Sequence, residues 1–256
     1  MAHEIDPAEK NRFWAEQTEF CRRLDEAGVQ EFFDSLDPKI KKELFHRANN
    51  RVGCIDEGCR GCGFRIAGSG ILIKGKDRAA FMAKCLRLGV DGFSDHANCG
   101  AAGVYAQEHG GDPAALARDF SGKMAKELGV DAPHIKAGEM SRPESYHATR
   151  FVFYDGTARL NLNNGKLPNG FVLTRALYPT QEYAVSEAEL AFNIASGSHG
   201  FGEIISSDEP VEIVVVGNAD DPEMSLAKLI KELEPLSANP KIKITGFEVS
   251  PRELDR

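Results

Sequence analysis

The residues best suited to chemistry lie close together in sequence: Cys54-Ile55-Asp56, then Arg65-Ile66-Ala67-Gly68, then His96-Ala97-Asn98-Cys99-Gly100. Two thiolates and one imidazole, from Cys54, Cys99 and His96, are a donor set suited to zinc. A Cys2His set leaves the fourth tetrahedral position for water or another ligand. The pattern puts Cys54 and His96 at the carboxyl ends of predicted parallel strands, where the sites of open α/β sheets assemble. Cys99 falls at the start of the following helix, whose N-terminus should lower its pKa toward the thiolate that ligation needs.

The same cysteines admit other readings. Cys54-x4-Cys59-x2-Cys62 has the spacing of a plant-type 2Fe–2S loop, with Cys85 or Cys99 as fourth ligand. That reading leaves His96 and the Arg65–Gly68 segment unexplained. In a third reading the cysteines are buried small hydrophobes. Cys59-Arg60-Gly61-Cys62 reads as loop before dithiol switch, and Cys21 and Cys85 read as core positions on helix faces. His46, His109, His134, His147 and His199 read as surface or satisfied polar groups. The Gly-rich stretch Ser196–Gly202 lacks the lysine of a P-loop and reads as a loop.

Elements that would position these residues follow from pattern. Helices are expected over 8–30, from Pro38, from Asp77 to Leu88, from Cys99 to about His109, after Asp112-Pro113, over 186–196 and over 220–236. Strands are expected at Arg51–Cys54, Phe64–Ile73, Val90–Asp95, Phe171–Tyr178, Val211–Gly217 and Lys241–Val249. His147–Tyr154, the turn Asp155-Gly156 and Ala158–Leu162 read as a hairpin. The expected fold is α/β, with three layers and a mainly parallel β-sheet flanked by helices. It comprises an N-terminal helical arm over 1–48 and a single zinc-binding domain over 49–256, with a β-rich insertion at about 147–180.

Composition narrows the function. The chain has 256 residues, and 31 Lys+Arg against 39 Asp+Glu give a net charge of −8. Such a chain does not suit phosphate-backbone binding, so nucleic acid is not an expected partner. It has no run of about 18 apolar residues that would span a bilayer, and its opening MAHEIDPAEK has no signal-peptide pattern. The expectation is a cytoplasmic protein whose cysteines serve metal or chemistry rather than disulfides.

The three segments together resemble the β-class carbonic anhydrases, whose signature is C-x-D-x-R, then R-N-A-G, then H-x-x-C-G. The likeness covers about residues 50–109. It implies zinc on Cys54, His96 and Cys99, with Asp56 beside the fourth position. The implied reaction is reversible hydration of carbon dioxide by zinc-bound hydroxide, and the implied assembly is a homodimer joined through the helical arm. Two positions depart from the signature: Gly58 replaces the arginine that pairs with the aspartate, and Ile66 replaces the asparagine. Without that arginine, Asp56 is expected to swing onto the metal and close a Cys2HisAsp site, unless Arg60 or Arg65 holds it. The alternatives are a non-catalytic zinc protein closed by Asp56, or a hydrolase of carbon disulfide or carbonyl sulfide.

Overall fold

A computed structural model describes residues 6–59 and 61–255. The arm forms α1 (Pro7–Ala27), α2 (Val29–Asp34) and α3 (Pro38–Leu44). Two of these start as the sequence dictates. Asp6 accepts a hydrogen bond from the Ala8 amide at 2.9 Å and Asp37 one from the Lys39 amide at 2.7 Å, each followed by a proline in the first turn.

Among the described residues every strand pair is parallel. Strands β1 (Arg51–Gly53), β2 (Phe64–Arg65) and β3 (Gly92–Phe93) form one small sheet, ordered β2-β1-β3. Strands β4 (Asp95–His96) and β5 (His134–Ile135) form a second. The largest sheet contains β6 (Phe151–Asp155), β7 (Phe171–Thr174), β8 (Val211–Asn218) and β9 (Ile242–Val249), ordered β7-β6-β8-β9. It continues toward the first sheet, since the Val172 amide donates to the Ile55 carbonyl at 3.1 Å and the Arg65 amide to Thr174 Oγ1 at 2.9 Å.

Layering of the large sheet follows the two-residue period of strands. Val152, Tyr154, Phe171, Leu173, Val211, Ile213 and Val215 point to one side. There they meet α7 (Gln181–Ser196) and α8 (Leu226–Leu233). Phe151, Phe153, Val172, Val214, Val216 and Phe247 point to the other side, where Leu24, Phe32, Phe33 and Phe45 of the arm cover them. Phe33 stacks on Phe247, and Trp14 sets its edge on Phe201 with the Arg150 guanidinium 4.4 Å from its ring. Helices α4 (Gly75–Arg87), α5 (Gly100–His109) and α6 (Pro113–Leu128) pack about the smaller sheets. No helix among the described residues is long and apolar enough to cross a membrane.

Two expectations need correction. The hairpin does not form: β6 pairs in parallel with β7 and β8, and residues 156–161 are irregular. Asp155 turns the chain instead, its carboxylate accepting from Thr157 N at 2.8 Å, Thr157 Oγ1 at 2.6 Å and Leu160 N at 3.2 Å. The segment 147–180 is therefore part of the main sheet rather than an insertion. The strand expected over Phe64–Ile73 stops at Arg65, because Gly68 and Ser69 adopt left-handed backbone at φ +51° and +58°. Within the arm, Leu24, Phe32, Phe33 and Phe45 are buried against the large sheet of the same chain.

This packing sets an expected outcome. Phe33→Ala removes a ring that the arm and Phe247 share, and should cost roughly 3–5 kcal/mol. The lower urea midpoint, with an unchanged denaturant slope, checks it.

Candidate metal centre

The three predicted ligands converge. Cys54 follows β1 directly, His96 ends β4, and Cys99 is the N-cap of α5. Asn98 reverses the chain between them at φ +57°, a conformation asparagine tolerates better than most residues. One ligand atom from each of Cys54, His96 and Cys99 lies within 4.8 Å of the others, and the two sulfurs are 4.0 Å apart. Sulfurs bound tetrahedrally at about 2.3 Å sit roughly 3.8 Å apart, so a small contraction would admit a zinc-sized ion.

The surroundings fit such an ion. His96 Nδ1 is 2.8 Å from the Ala97 carbonyl, an arrangement that holds the proton on Nδ1 and turns the Nε2 lone pair inward. Nε2 is buried and makes no hydrogen bond of sound geometry among the described residues; it faces sulfur. The Gly68 amide donates to Cys54 Sγ at 3.2 Å. Without metal, the hydrogen bond between the thiols holds Cys54 well below the usual thiol range. That bond, with burial, pushes Cys99 well above it. The helix N-terminus was expected to favour the Cys99 thiolate, but direct contact with the partner sulfur outweighs it. Burial opposes protonation of His96, yet Cys59 and Cys54 outweigh that and raise its pKa well above the ordinary value. A metal ion must displace these protons, so its affinity rises with pH.

Asp56 stands apart from the trio. Arg142 grips it through two parallel bonds, Nε to Oδ1 at 2.9 Å and Nη2 to Oδ2 at 3.1 Å, and the Gly58 amide donates to Oδ1 at 2.8 Å. Both side chains are at most 5% exposed. Burial opposes ionisation of Asp56, but His147, His96 and Arg142 together hold its pKa down to about 2. The expected closed Cys2HisAsp site is thus corrected: an arginine 86 residues away engages the carboxylate. Arg65 does not do this work, since its guanidinium donates to the carbonyls of Cys62, Cys54 and Asp56; Arg60 lies outside the described residues.

Gly58 explains the substitution. A Cβ at this position would come within 2.8 Å of Arg142 Cγ, 2.9 Å of Met140 Cε and 3.1 Å of Asp56 Oδ1. The missing side chain makes the room through which Arg142 reaches Asp56. The sequence carried no local signal for this, because Arg142 lies in an irregular segment with no motif around it.

His147 is a satisfied polar group, as expected, and it sits beside Asp56. Its Nδ1 is 2.8 Å from Glu57 Oε2, whose other oxygen accepts from the Ala148 amide at 3.1 Å. His147 lines a cavity of about 10 Å³ with Cys54, Ile55, Asp56, Phe171 and Ile194, close to the room one water needs. A larger cavity of about 310 Å³ lies beyond Arg142 and Glu57, against α1, and none of the three ligands lines it. Asp56, Glu57 and His147 are close enough to be a second cation cluster, but Arg142, the Ala148 amide and the His147 ring already occupy the carboxylates.

The iron–sulfur spacing is not realised. Cys62 turns to Ser94, its Sγ 3.0 Å from Oγ, and Cys59 lies by His96 outside the trio. Cys21 and Cys85 are buried apolar positions, as expected. His134 is satisfied by Asp95 at 2.5 Å.

Two outcomes follow from the Asp56 pair. Arg142→Met leaves a buried carboxylate without its cation, which typically costs 3–5 kcal/mol. The wild-type pKa is depressed from 3.8 to about 2. The pair's contribution is therefore complete above about pH 4 and lost as pH falls toward 2. Urea titrations at neutral pH and in acid should show the variant weaker at neutrality and the difference shrinking in acid. Gly58→Arg, rather than supplying a partner, should displace Arg142 and destabilise the fold in the same assay.

Compared with protein-family models, with curated proteins and with solved structures, the chain matches none.

Proposed function

We propose that this chain holds a zinc ion on Cys54, His96 and Cys99 and hydrates carbon dioxide, in the manner of the β-class carbonic anhydrases its motifs resemble. The observation that carries the reading is the Arg142–Asp56 pair beside the trio. A carboxylate locked by a bidentate guanidinium is withheld from the metal, which leaves the fourth position free. Zinc there would supply a water acidified to near neutral pH.

The chain's own residues do the rest. Asp56 stays ionised and keeps lone pairs beyond those used by Arg142 and Gly58, so it can accept a hydrogen bond from a group in the cavity and orient it. Ile55, Phe171, Leu190 and Ile194 give that cavity apolar walls. These suit a small uncharged molecule better than an anion, and so favour release of the bicarbonate product.

Elemental analysis should find about one zinc and no iron per chain. Cys99→Ser should lose the metal, and Cys62→Ser should keep it. Stopped-flow hydration assays should show activity in the wild type and a loss of about 10- to 100-fold in Arg142→Met that retains zinc. Zinc without hydration activity would leave a metal-binding protein, and iron in its place would end the proposal.

A further inference from the structure

Helix α7 carries a carboxyl group that the proposed chemistry does not use. Glu187 is 1% exposed and shares its helix face with Ala184, Ala188, Ala191 and Ala195, all fully buried. Its Oε2 accepts from the Ala67 amide at 2.7 Å and from the Tyr178 hydroxyl at 2.7 Å. Its Oε1 has no hydrogen-bond partner among the described residues. Burying a carboxyl group this incompletely satisfied costs several kcal/mol against an apolar side chain of the same size. The alanine face supplies no compensation.

The compensation lies one residue beyond the bond. Ala67 leads into Gly68, whose amide donates to Cys54 Sγ at 3.2 Å. Gly68 holds φ +51°, and a Cβ there would lie 2.6 Å from Ile71 Cγ2, 3.0 Å from Ala101 Cβ and 3.6 Å from Cys99 Sγ. This turn is therefore pressed against both thiols in a backbone conformation that other residues resist. Ile66, where the resembled signature has asparagine, brings no polar side chain to brace it. Burial raises Glu187 to about 8, so near neutrality it braces the turn as a neutral acid.

We infer that Glu187 is a positioning residue of the metal site: by accepting the Ala67 amide it aims the Gly68 N–H at the Cys54 sulfur. A hydrogen-bonded thiolate gives less charge to its metal, which keeps the ion a stronger Lewis acid. The inference rests on Cys54 being a metal ligand, and cobalt(II), bound in place of zinc, reports on that bond without any activity assay.

Wild-type protein titrated with cobalt(II) should develop a thiolate-to-cobalt charge-transfer band in the near ultraviolet. Glu187→Ala should move that band to longer wavelength and weaken cobalt binding about 10- to 100-fold in competition with a chelator. Glu187→Gln keeps a carbonyl acceptor in place and should restore both. Tyr178→Phe, which removes one donor to the same carboxyl group with little change in volume, should give a smaller shift of the same sign. It serves if Glu187→Ala does not fold. An unchanged band and affinity in Glu187→Ala, an unshifted band in Tyr178→Phe, or a glutamine variant that behaves like alanine would each overturn the inference. A wild type with no thiolate band would instead overturn the metal assignment on which it rests.

Discussion

Arg142 and Asp56 form a buried ion pair, and such a pair is stable only when the remaining donors and acceptors are also met. Here they are. Arg142 Nη1 donates to the Pro143 carbonyl at 2.8 Å and to the Tyr146 carbonyl at 3.5 Å, while Asp56 accepts the Gly58 amide. The irregular segment carrying Arg142 is itself tied down. The Ser141 amide donates to the Gly58 carbonyl at 3.0 Å, the His147 amide to His199 at 2.6 Å and the Ala148 amide to Glu57. The bonds to Gly58 and Glu57 hold the segment against the loop that follows β1, where Cys54 leaves the sheet.

The helical arm enters the same network from the opposite side. Gln17 of α1 is buried, donates to the Ala148 carbonyl at 2.6 Å and accepts the Arg150 amide at 2.7 Å. It thereby satisfies two backbone groups just before β6 that the sheet leaves unpaired. The aromatic face of the arm, built on Phe32 and Phe33, fixes where that glutamine sits. Core packing on the far side of the large sheet is thus connected through one amide side chain to the segment that holds Asp56. Loss of the arm's packing would loosen the carboxylate that the proposed chemistry needs in place.

The ligand trio depends on backbone more than on side chains. Short parallel strands deliver Cys54 and His96, and a left-handed Asn98 brings Cys99 back within reach. Hydrogen bonds from Gly68 to Cys54 and between His96 and the Ala97 carbonyl then set the donor atoms. Apolar residues close round them, so electrostatic interactions within the site are weakly screened.

What the sequence determined by itself was local. Residue type and spacing marked Cys54, His96 and Cys99, because each of these candidate ligands sits at an element end that strand and helix patterns reveal. The caps at Asp37 and Asp112, the doubly buried run Val211–Gly217 and the parallel α/β class were legible for the same reason: period and capping act within a few residues. The apolar run at 151–154 was legible as a strand, but its partner was not, since a turn signal at Asp155-Gly156 serves an irregular turn as well as a hairpin. Only tertiary structure decided which arginine meets Asp56. The guanidinium comes from position 142 across a gap opened by a glycine at 58, and no rule of spacing joins two such positions. Tertiary structure likewise put His147 beside Asp56, packed the arm on the large sheet, and set the Glu187 carboxyl group on the Ala67 amide. These are long-range contacts between buried polar groups, set by where whole elements pack rather than by the pattern of any one of them.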